Sequence, residues 1–271
     1  MIMKDKRILY VSSELVPYLP ETEVSKMAFE VPREMHHQGA QIRMFMPRFG
    51  IINERRHQLH EVIRLSGMNL IINDMDMPLI IKVASIPKER MQVYFIDNEE
   101  YFKRKSVYND ENGKFYEDND ERAIFFAKGV VETVKKLKWA PDIIHVHGWM
   151  ASLLPLYLKE YYKNDPLFAD SKIVTSAFKN QNTGILNKDE FIKKIKFDQI
   201  PVEKLTSLKT VNNDCLLKIA LENSDAIIKG SDDLSENIIA HIENLNVPVL
   251  EYHPQDDFSE AYSNFYMNEV L

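Results

Sequence analysis

Short apolar runs alternate with amphipathic stretches along most of this sequence, and that alternation constrains the fold more than any other feature. "RILYVS" (7–12) is apolar and β-rich. After it, Val24, Met27, Ala28, Val31 and Met35 recur at helical spacing until Gly39 ends the run. "QIRMFMP" (41–47) is apolar again. A strand, a helix and a strand in that order imply a right-handed crossover and parallel pairing. The pattern resumes with a helix from about Asn119 to Lys138, striped by Ala123, Phe126, Ala127, Val130, Val134 and Leu137. "PDIIHVHGW" (141–149) reads as a strand ending in a turn, residues 150–162 as a helix, and "SKIVTSAF" (171–178) as a strand. "DCLLKIALENS" (helix), "DAIIKGS" (strand), "DDLSENIIAHIENL" (helix capped by Asp or Ser) and "VPVLEY" (strand) complete the series. The reading is one α/β domain over residues 1–252: a Rossmann-like, doubly wound, mostly parallel sheet with helices on both faces.

Four segments stand outside that rhythm. Residues 60–98 hold three β-like runs, "EVIRLSG", "PLIIKVASI" and "MQVYFIDN", with no strong helix between them, and read as a hairpin-like insertion or edge. Residues 99–118 read as a polar loop. Residues 180–212 are polar and lysine-rich without clear periodicity, a long excursion, and 253–271 form an acidic, aromatic tail.

Composition excludes several function classes. The net charge of −7 argues against a general nucleic-acid or anionic-membrane binder. No apolar run approaches the roughly 20 residues needed to span a bilayer. The basic start "MIMKDKRILYVSSE" is broken by Ser12, Ser13 and Glu14, and reads as a first strand rather than a signal peptide. The single cysteine, Cys215, rules out an intrachain disulfide framework and fits a reducing cytoplasm. It falls on the apolar side of a helix, where it reads as a small hydrophobe. "KRK" (103–105) and "KDEFIKKIK" (188–196) read as solvated faces. Only 8 glycines occur in 271 residues, few for a function that needs close backbone approach to phosphates.

His145 and His147 alternate on one strand face, a spacing able to ligate a metal. No third ligand is visible nearby, and neither a metal nor a cofactor is expected. His147-Gly148-Trp149 falls where a parallel strand ends, the edge at which open α/β sheets bind ligands; a buried structural histidine fits equally well. Asp118, Asn119 and Asp120 precede a helix and read as caps. Arg122 in the first turn opposes the helix dipole, which an acidic partner or a ligand would offset. No GxGxxG, P-loop, GxSxG or HExxH motif is present.

Taken together, several stretches resemble the bacterial glycogen and plant-type starch synthases, retaining glucosyltransferases that use ADP-glucose. "SSELVPYLPETEVSKMAFEVPREM" is similar to their Ser-Glu-Val-x-Pro-Phe, Lys-Thr-Gly-Gly-Leu and following helix. "GAQIRMFMPRFG", "YFKRKSVYNDENGKFYEDNDERAIFFAKGVVE", "WAPDIIHVHGWMASLLPLYLK" and "LLKIALENSDAIIKGSDDLSENI" resemble later family segments, the third of them Trp-x-Pro-Asp-Ile-x-His-x-His-Asp-Trp. The resemblance runs from about residue 7 to 243. It implies the N-terminal half of a GT-B fold, in which two Rossmann-like domains face each other across the active site. The second domain, implied to carry most of the ADP site, has no counterpart in this sequence.

The departures from the family pattern fall on three loops. Lys-Thr-Gly-Gly-Leu becomes Pro20-Glu21-Thr22-Glu23-Val24, so Pro20, Thr22 and Glu23 stand at lost positions: a proline without an N–H, no glycine, and acids that repel phosphate. His-Asp-Trp becomes His147-Gly148-Trp149, and the family's Thr-Ile-His-Asn aligns with Thr175-Ser176-Ala177-Phe178, so Gly148 and Ala177 replace an aspartate and a histidine. The resemblance leaves Tyr116, Asn119, Arg122, His147 and Trp149 as the residual cleft edge, able to meet a glucan or small carbohydrate. Three readings stay open: a degenerate homologue unable to transfer glucose alone, a working glycosyltransferase completed by a second chain or a dimer, and a non-catalytic interaction protein. A protein partner or a homodimer is a further candidate, one that would cover the face left by the missing domain.

Overall fold

The computed structural model describes residues 2–179, 184–205, 210–254 and 257–271. Residues 180–183 and 206–209 of the excursion, and 255 and 256 of the tail, lie outside the described residues.

The strands are β1 (Arg7–Ser12), β2 (Gln41–Pro47), β3 (His60–Glu61), β4 (Met68–Ile72), β5 (Met75–Ser85), β6 (Gln92–Asp97), β7 (Ile143–His147), β8 (Lys172–Ala177), β9 (Ile185–Leu186), β10 (Val211–Asn212), β11 (Ala226–Lys229) and β12 (Val249–Leu250). The main sheet runs β12-β11-β8-β7-β1-β2-β6-β5-β3, with β4 on β5, and β9 and β10 pair apart from it. From β12 to β6 all pairing is parallel. Strands β3, β4 and β5 are antiparallel. The 60–98 segment therefore divides: "MQVYFIDN" supplies β6, a parallel neighbour of β2 buried at five of its six positions, and the rest forms the antiparallel edge. "EVIRLSG" contributes only Glu61 to a strand before the chain turns.

Chain order reverses between β1 and β7. Strands β2 and β6 extend the sheet one way, and β8, β11 and β12 the other. That reversal is a topological switch point, which opens a crevice at the carboxyl ends of β1 and β7.

The helix Glu23–His37 covers β1 and β2. Beside it, on the same face, lies the C-terminal helix Phe258–Phe265 and its continuation Tyr266–Val270. Phe258, Tyr262, Phe265 and Tyr266, spaced at helical intervals, join the main core. On the opposite face the helices Asn119–Leu137, Leu154–Leu156, Asn213–Glu222 and Glu236–Glu243 pack neighbour to neighbour.

The Asn119–Leu137 helix is buried on nearly every side. Its outer surface is covered by the excursion, whose helix Lys188–Phe197 buries Phe191, Lys194 and Ile195. "KDEFIKKIK" is thus solvated on one side only, with Lys194 drawn inside. Lys194 Nζ lies 2.7 Å from Asp120 Oδ2 and 3.0 Å from Glu121 Oε1. Lys128, deeper in the same interface, donates to Asp198 Oδ1 at 2.5 Å and to the Ile71 carbonyl at 2.8 Å. Among the described residues, no helix is long and apolar enough to cross a membrane.

Candidate functional site

At the switch point the turns after β1 and β7 are locked together. The Ser13 N–H donates to the His147 carbonyl at 3.0 Å. Ser13 Oγ accepts from the Met150 N–H at 2.8 Å and the Ala151 N–H at 3.3 Å, capping the short helix Trp149–Ala151. Between them Gly148 holds φ +79° and ψ 163°, a conformation almost restricted to glycine. A Cβ at this position would lie 2.7 Å from Ser13 Oγ.

The N-terminus of the Glu23–His37 helix faces the same crevice. Helix N-termini offer free N–H groups and a positive dipole end, which is why they hold phosphates. Here the chain occupies its own site. Thr22 Oγ1 accepts from the Ser25 N–H at 3.0 Å and Ser25 Oγ accepts from the Thr22 N–H at 2.7 Å, a reciprocal capping box. The Thr22 hydroxyl donates to Glu14 Oε2 at 2.8 Å, and Tyr108 Oη donates to Glu14 Oε1 at 3.3 Å. Glu23, in the first turn, accepts from the Ser231 hydroxyl. Burial, with Asp233 and Asp232 close by, raises the Glu23 carboxyl above its usual range. Lys179, which would otherwise supply positive charge, is paired with Asp233.

The cleft above these groups is open to solvent, has a cavity volume of about 80 Å³, and is lined by Glu14, Thr22, Tyr108, Trp149, Phe178 and Asn213 among others. The Trp149 ring sits between Tyr108 (4.9 Å) and Phe115 (5.5 Å). Its Nε1 has no partner among the described residues. Phe178 packs edge-on against His147 at 5.8 Å. A Cβ on Gly230 would fall 2.5 Å from the Phe178 ring, so that glycine makes room for it.

Beneath the floor lies a buried polar chain. His145 Nε2 is 2.7 Å from Ser176 Oγ and 3.0 Å from His147 Nε2, while His145 Nδ1 is 2.6 Å from Tyr266 Oη. Burial holds His147 down to about 3, and burial together with His147 holds His145 well below the usual imidazole value. Both rings are neutral at physiological pH, their Nε2 atoms engaged with each other.

The structure divides the residues expected at the cleft edge. Trp149, Gly148 and Thr22 line it, and His147 lies just below, 1% exposed. Tyr116, Asn119 and Arg122 form a separate cluster, joined to the cleft wall through Tyr108: the Asn119 amide donates to the Tyr108 carbonyl at 2.9 Å. Arg122 is fully buried with its guanidinium over Phe102 (5.3 Å), Tyr116 (5.4 Å) and Phe49 (5.6 Å). It donates to Asn119 Oδ1, and no carboxylate among the described residues pairs with it. Burial, with Arg104 nearby, lowers it to about 10. The aromatic faces therefore take the place of an acidic partner.

The capping expected of Asp118 is absent, because Arg104 holds its carboxylate. Asp120 Oδ1 instead accepts from the Glu121 N–H at 2.7 Å. Ala177 faces the second apolar cluster, with Leu221, Ile227 and Ile238; Ser176 and Phe178 are the cleft residues of that strand end. Pro20 is exposed and its carbonyl accepts from Ser25 Oγ at 3.0 Å. Burial raises the Cys215 thiol to about 11, so it is no thiolate nucleophile at neutral pH. Sequence reading missed Glu14, Tyr108 and Ser176. Glu14 had a signal, since it follows β1 directly at the switch point; Tyr108 had one too, as the last residue of the family-like YFKRKSVY, but was not singled out.

The chain matches the starch synthase catalytic domain family over residues 7–246. It belongs to that family. It is 34% identical over 243 residues to glycogen synthase from Chlorobium limicola, covering 89% of this chain and 49% of that protein. It is 35% identical over 241 residues to glycogen synthase from Chlorobaculum tepidum, covering 88% and 48%. The chain thus spans about half the length of the curated relatives it matches. Among solved structures it resembles the catalytic domain of starch synthase IV from Arabidopsis thaliana bound to ADP and acarbose: TM-score 0.72, 14% identity, 94% of this chain and 53% of that one. At that identity the likeness establishes the fold alone.

Proposed function

We propose that this starch-synthase-type domain binds a glucan or small carbohydrate at the switch-point cleft and does not itself transfer glucose from ADP-glucose. One observation carries the reading: the helix N-terminus facing the crevice is closed by its own capping box and flanked by Glu14 and Glu23. A carboxylate about 5 Å from a phosphate opposes its binding by about 3 kcal/mol at an effective dielectric near 20. The remaining surface suits a neutral polyol, with Trp149, Tyr108 and Phe178 as apolar walls and Glu14, Ser152, Ser176 and Asn213 as polar groups. The Arabidopsis relative's acarbose complex is in keeping with a saccharide ligand. The reading places the protein in the cytoplasm, where its single thiol stays reduced.

Calorimetric titration with maltoheptaose and with ADP, and incubation with ADP-glucose and a malto-oligosaccharide acceptor, test it. Saccharide binding without ADP binding or glucan extension is expected. Extension above background by the purified chain refutes the inactive reading. Extension only when a second chain is added refutes it in favour of a split enzyme.

A further inference from the structure

The family match ends at residue 246, and the helix Phe258–Phe265 with its continuation Tyr266–Val270 lies beyond it. This C-terminal segment nevertheless reaches the floor of the cleft. Gln38 Nε2 donates to Ser259 Oγ at 3.1 Å and ties the segment beside the Glu23–His37 helix. Two of its tyrosines turn inward. Tyr266 is fully buried, with Oη 2.6 Å from His145 Nδ1 and 3.4 Å from Tyr10 Oη. Tyr262, one turn earlier, is buried with its hydroxyl toward Ser176.

Packing alone does not ask for these hydroxyls. Phenylalanine fills such space at 258 and 265 of the same stripe, and a buried hydroxyl costs free energy unless it is bonded. Both hydroxyls converge on one pair, His145 and Ser176, whose Nε2 and Oγ are 2.7 Å apart. Ser176 is the member of that pair that lines the cleft. A neutral imidazole carries one proton, and the hydrogen bond at one ring nitrogen fixes the role of the other. The Tyr266 contact at Nδ1 therefore fixes whether Nε2 donates to Ser176 or accepts from it. That choice sets the direction of the serine hydroxyl hydrogen.

We infer that the C-terminal helix is a working part of the cleft: Tyr266 is a positioning residue that acts through His145 to orient the Ser176 hydroxyl toward a bound ligand. This role rests on the reading of the cleft as a saccharide site. Sugar hydroxyls both donate and accept, so a wall hydroxyl that rotates freely must be ordered as the sugar binds. One held from beneath is ordered beforehand and loses less freedom. Tyr10 backs the arrangement from β1, so the wiring joins the first strand, the switch-point strand and the C-terminal helix.

The test compares variants of the intact chain by calorimetric titration with maltoheptaose, run below each unfolding transition. Tyr266→Phe keeps the ring and removes Oη; it should weaken binding about fivefold, the loss of about one neutral hydrogen bond. Ser176→Ala and Ser176→Ala/Tyr266→Phe should bind equally weakly, because both lose the same contact. Phe258→Leu loosens the helix two turns from Tyr266; it should lower the Tm and leave the affinity unchanged. Side-chain NMR reads the wiring without a ligand: the His145 Nδ1 resonance should shift in Tyr266→Phe and stay in Phe258→Leu. An unshifted resonance overturns the inference whatever the cleft binds. Unaltered affinity in Tyr266→Phe, or an equal loss in Phe258→Leu, also overturns it, while wild-type binding of maltoheptaose upholds the saccharide reading. Absence of wild-type binding refutes that reading instead, and the shifted resonance then still assigns Tyr266 as the group that sets His145.

Discussion

Acidification from pH 7.5 to 5.5 should destabilise this fold through two histidines. In the unfolded chain each imidazole takes up a proton near pH 6.5. In the folded chain His145 and His147 are fully buried and stay neutral well below that pH. The unfolded state therefore binds more protons, and stability that is complete above about pH 6.5 is lost as the pH falls. At pH 5.5 each unfolded histidine is about nine-tenths protonated, which is worth about 1.4 kcal/mol, or about 3 kcal/mol for the pair. Carboxyls that burial raises, among them Asp97 and Asp120, act in the opposite direction as the pH falls further. A variant separates the two effects. His147→Phe keeps a ring against Tyr10 and Phe178 and leaves the Ser176 contact of His145 in place. Urea unfolding at both pH values should show the wild type losing about 3 kcal/mol and the variant about half of that. Equal losses in the two proteins would refute the buried neutral pair.

Other expectations concern packing and the cleft. Lys194→Met leaves the buried Asp120 without its cation and should cost about 3–5 kcal/mol in urea unfolding; a loss under about 1 kcal/mol would mean the Lys188–Phe197 helix does not dock as described. Trp149→Ala should weaken maltoheptaose binding about tenfold in calorimetry run below the variant's unfolding transition, and should lower the melting temperature because the ring packs between Tyr108 and Phe115; unaltered affinity would remove Trp149 from the binding surface. Gly148→Asp should lower stability by about 1–3 kcal/mol, because it puts a side chain into a backbone conformation almost restricted to glycine and against the Ser13 cap. A stable Gly148→Asp protein that turns over ADP-glucose would contradict both the strain and the proposed function.

Periodicity carried the Glu23–His37 helix, which keeps a solvent face: its apolar stripe and its stop at Gly39 were legible. β1 and β2 are almost continuously buried and were legible as short apolar β-rich runs either side of that helix. Legibility failed where charged residues are drawn inside by distant partners. Lys194 looks solvated because lysine usually is, yet an Asp120–Glu121 pair 74 and 73 residues away in sequence draws it inside. Asn187 followed by Asp189 and Glu190 is an ordinary helix start, so that helix was visible in principle; its burial was not. The tail stripe Phe258-Tyr262-Phe265-Tyr266 was equally periodic, but nothing local says that its target is His145 and Tyr10. At the site, position after a parallel strand located Gly148 and Trp149. Arg122 was expected to meet an acid or a ligand, on its charge and its place in the family-like segment; three aromatic rings surround it instead.

The residues at the cleft are mechanically linked. Gly148 is required because Ser13 Oγ, capping Met150 and Ala151, occupies the space a Cβ would need. The neighbouring Glu14 is held by the Thr22 hydroxyl, and Thr22 closes the helix N-terminus with Ser25. On the far wall Phe178 fills the position over Gly230, while Glu23 reaches across to Ser231 beside it. An aspartate at 148 must displace the Ser13 cap, and a basic residue in the loop would pair with Glu14 or Glu23 rather than face a phosphate. A histidine at 177 must enter the apolar cluster of Leu221 and Ile227. Changing one position therefore disturbs the packing that accommodates the others. Gly148→Asp or Ala177→His alone should lose stability before gaining nucleotide binding, because the cleft groups are already satisfied by one another.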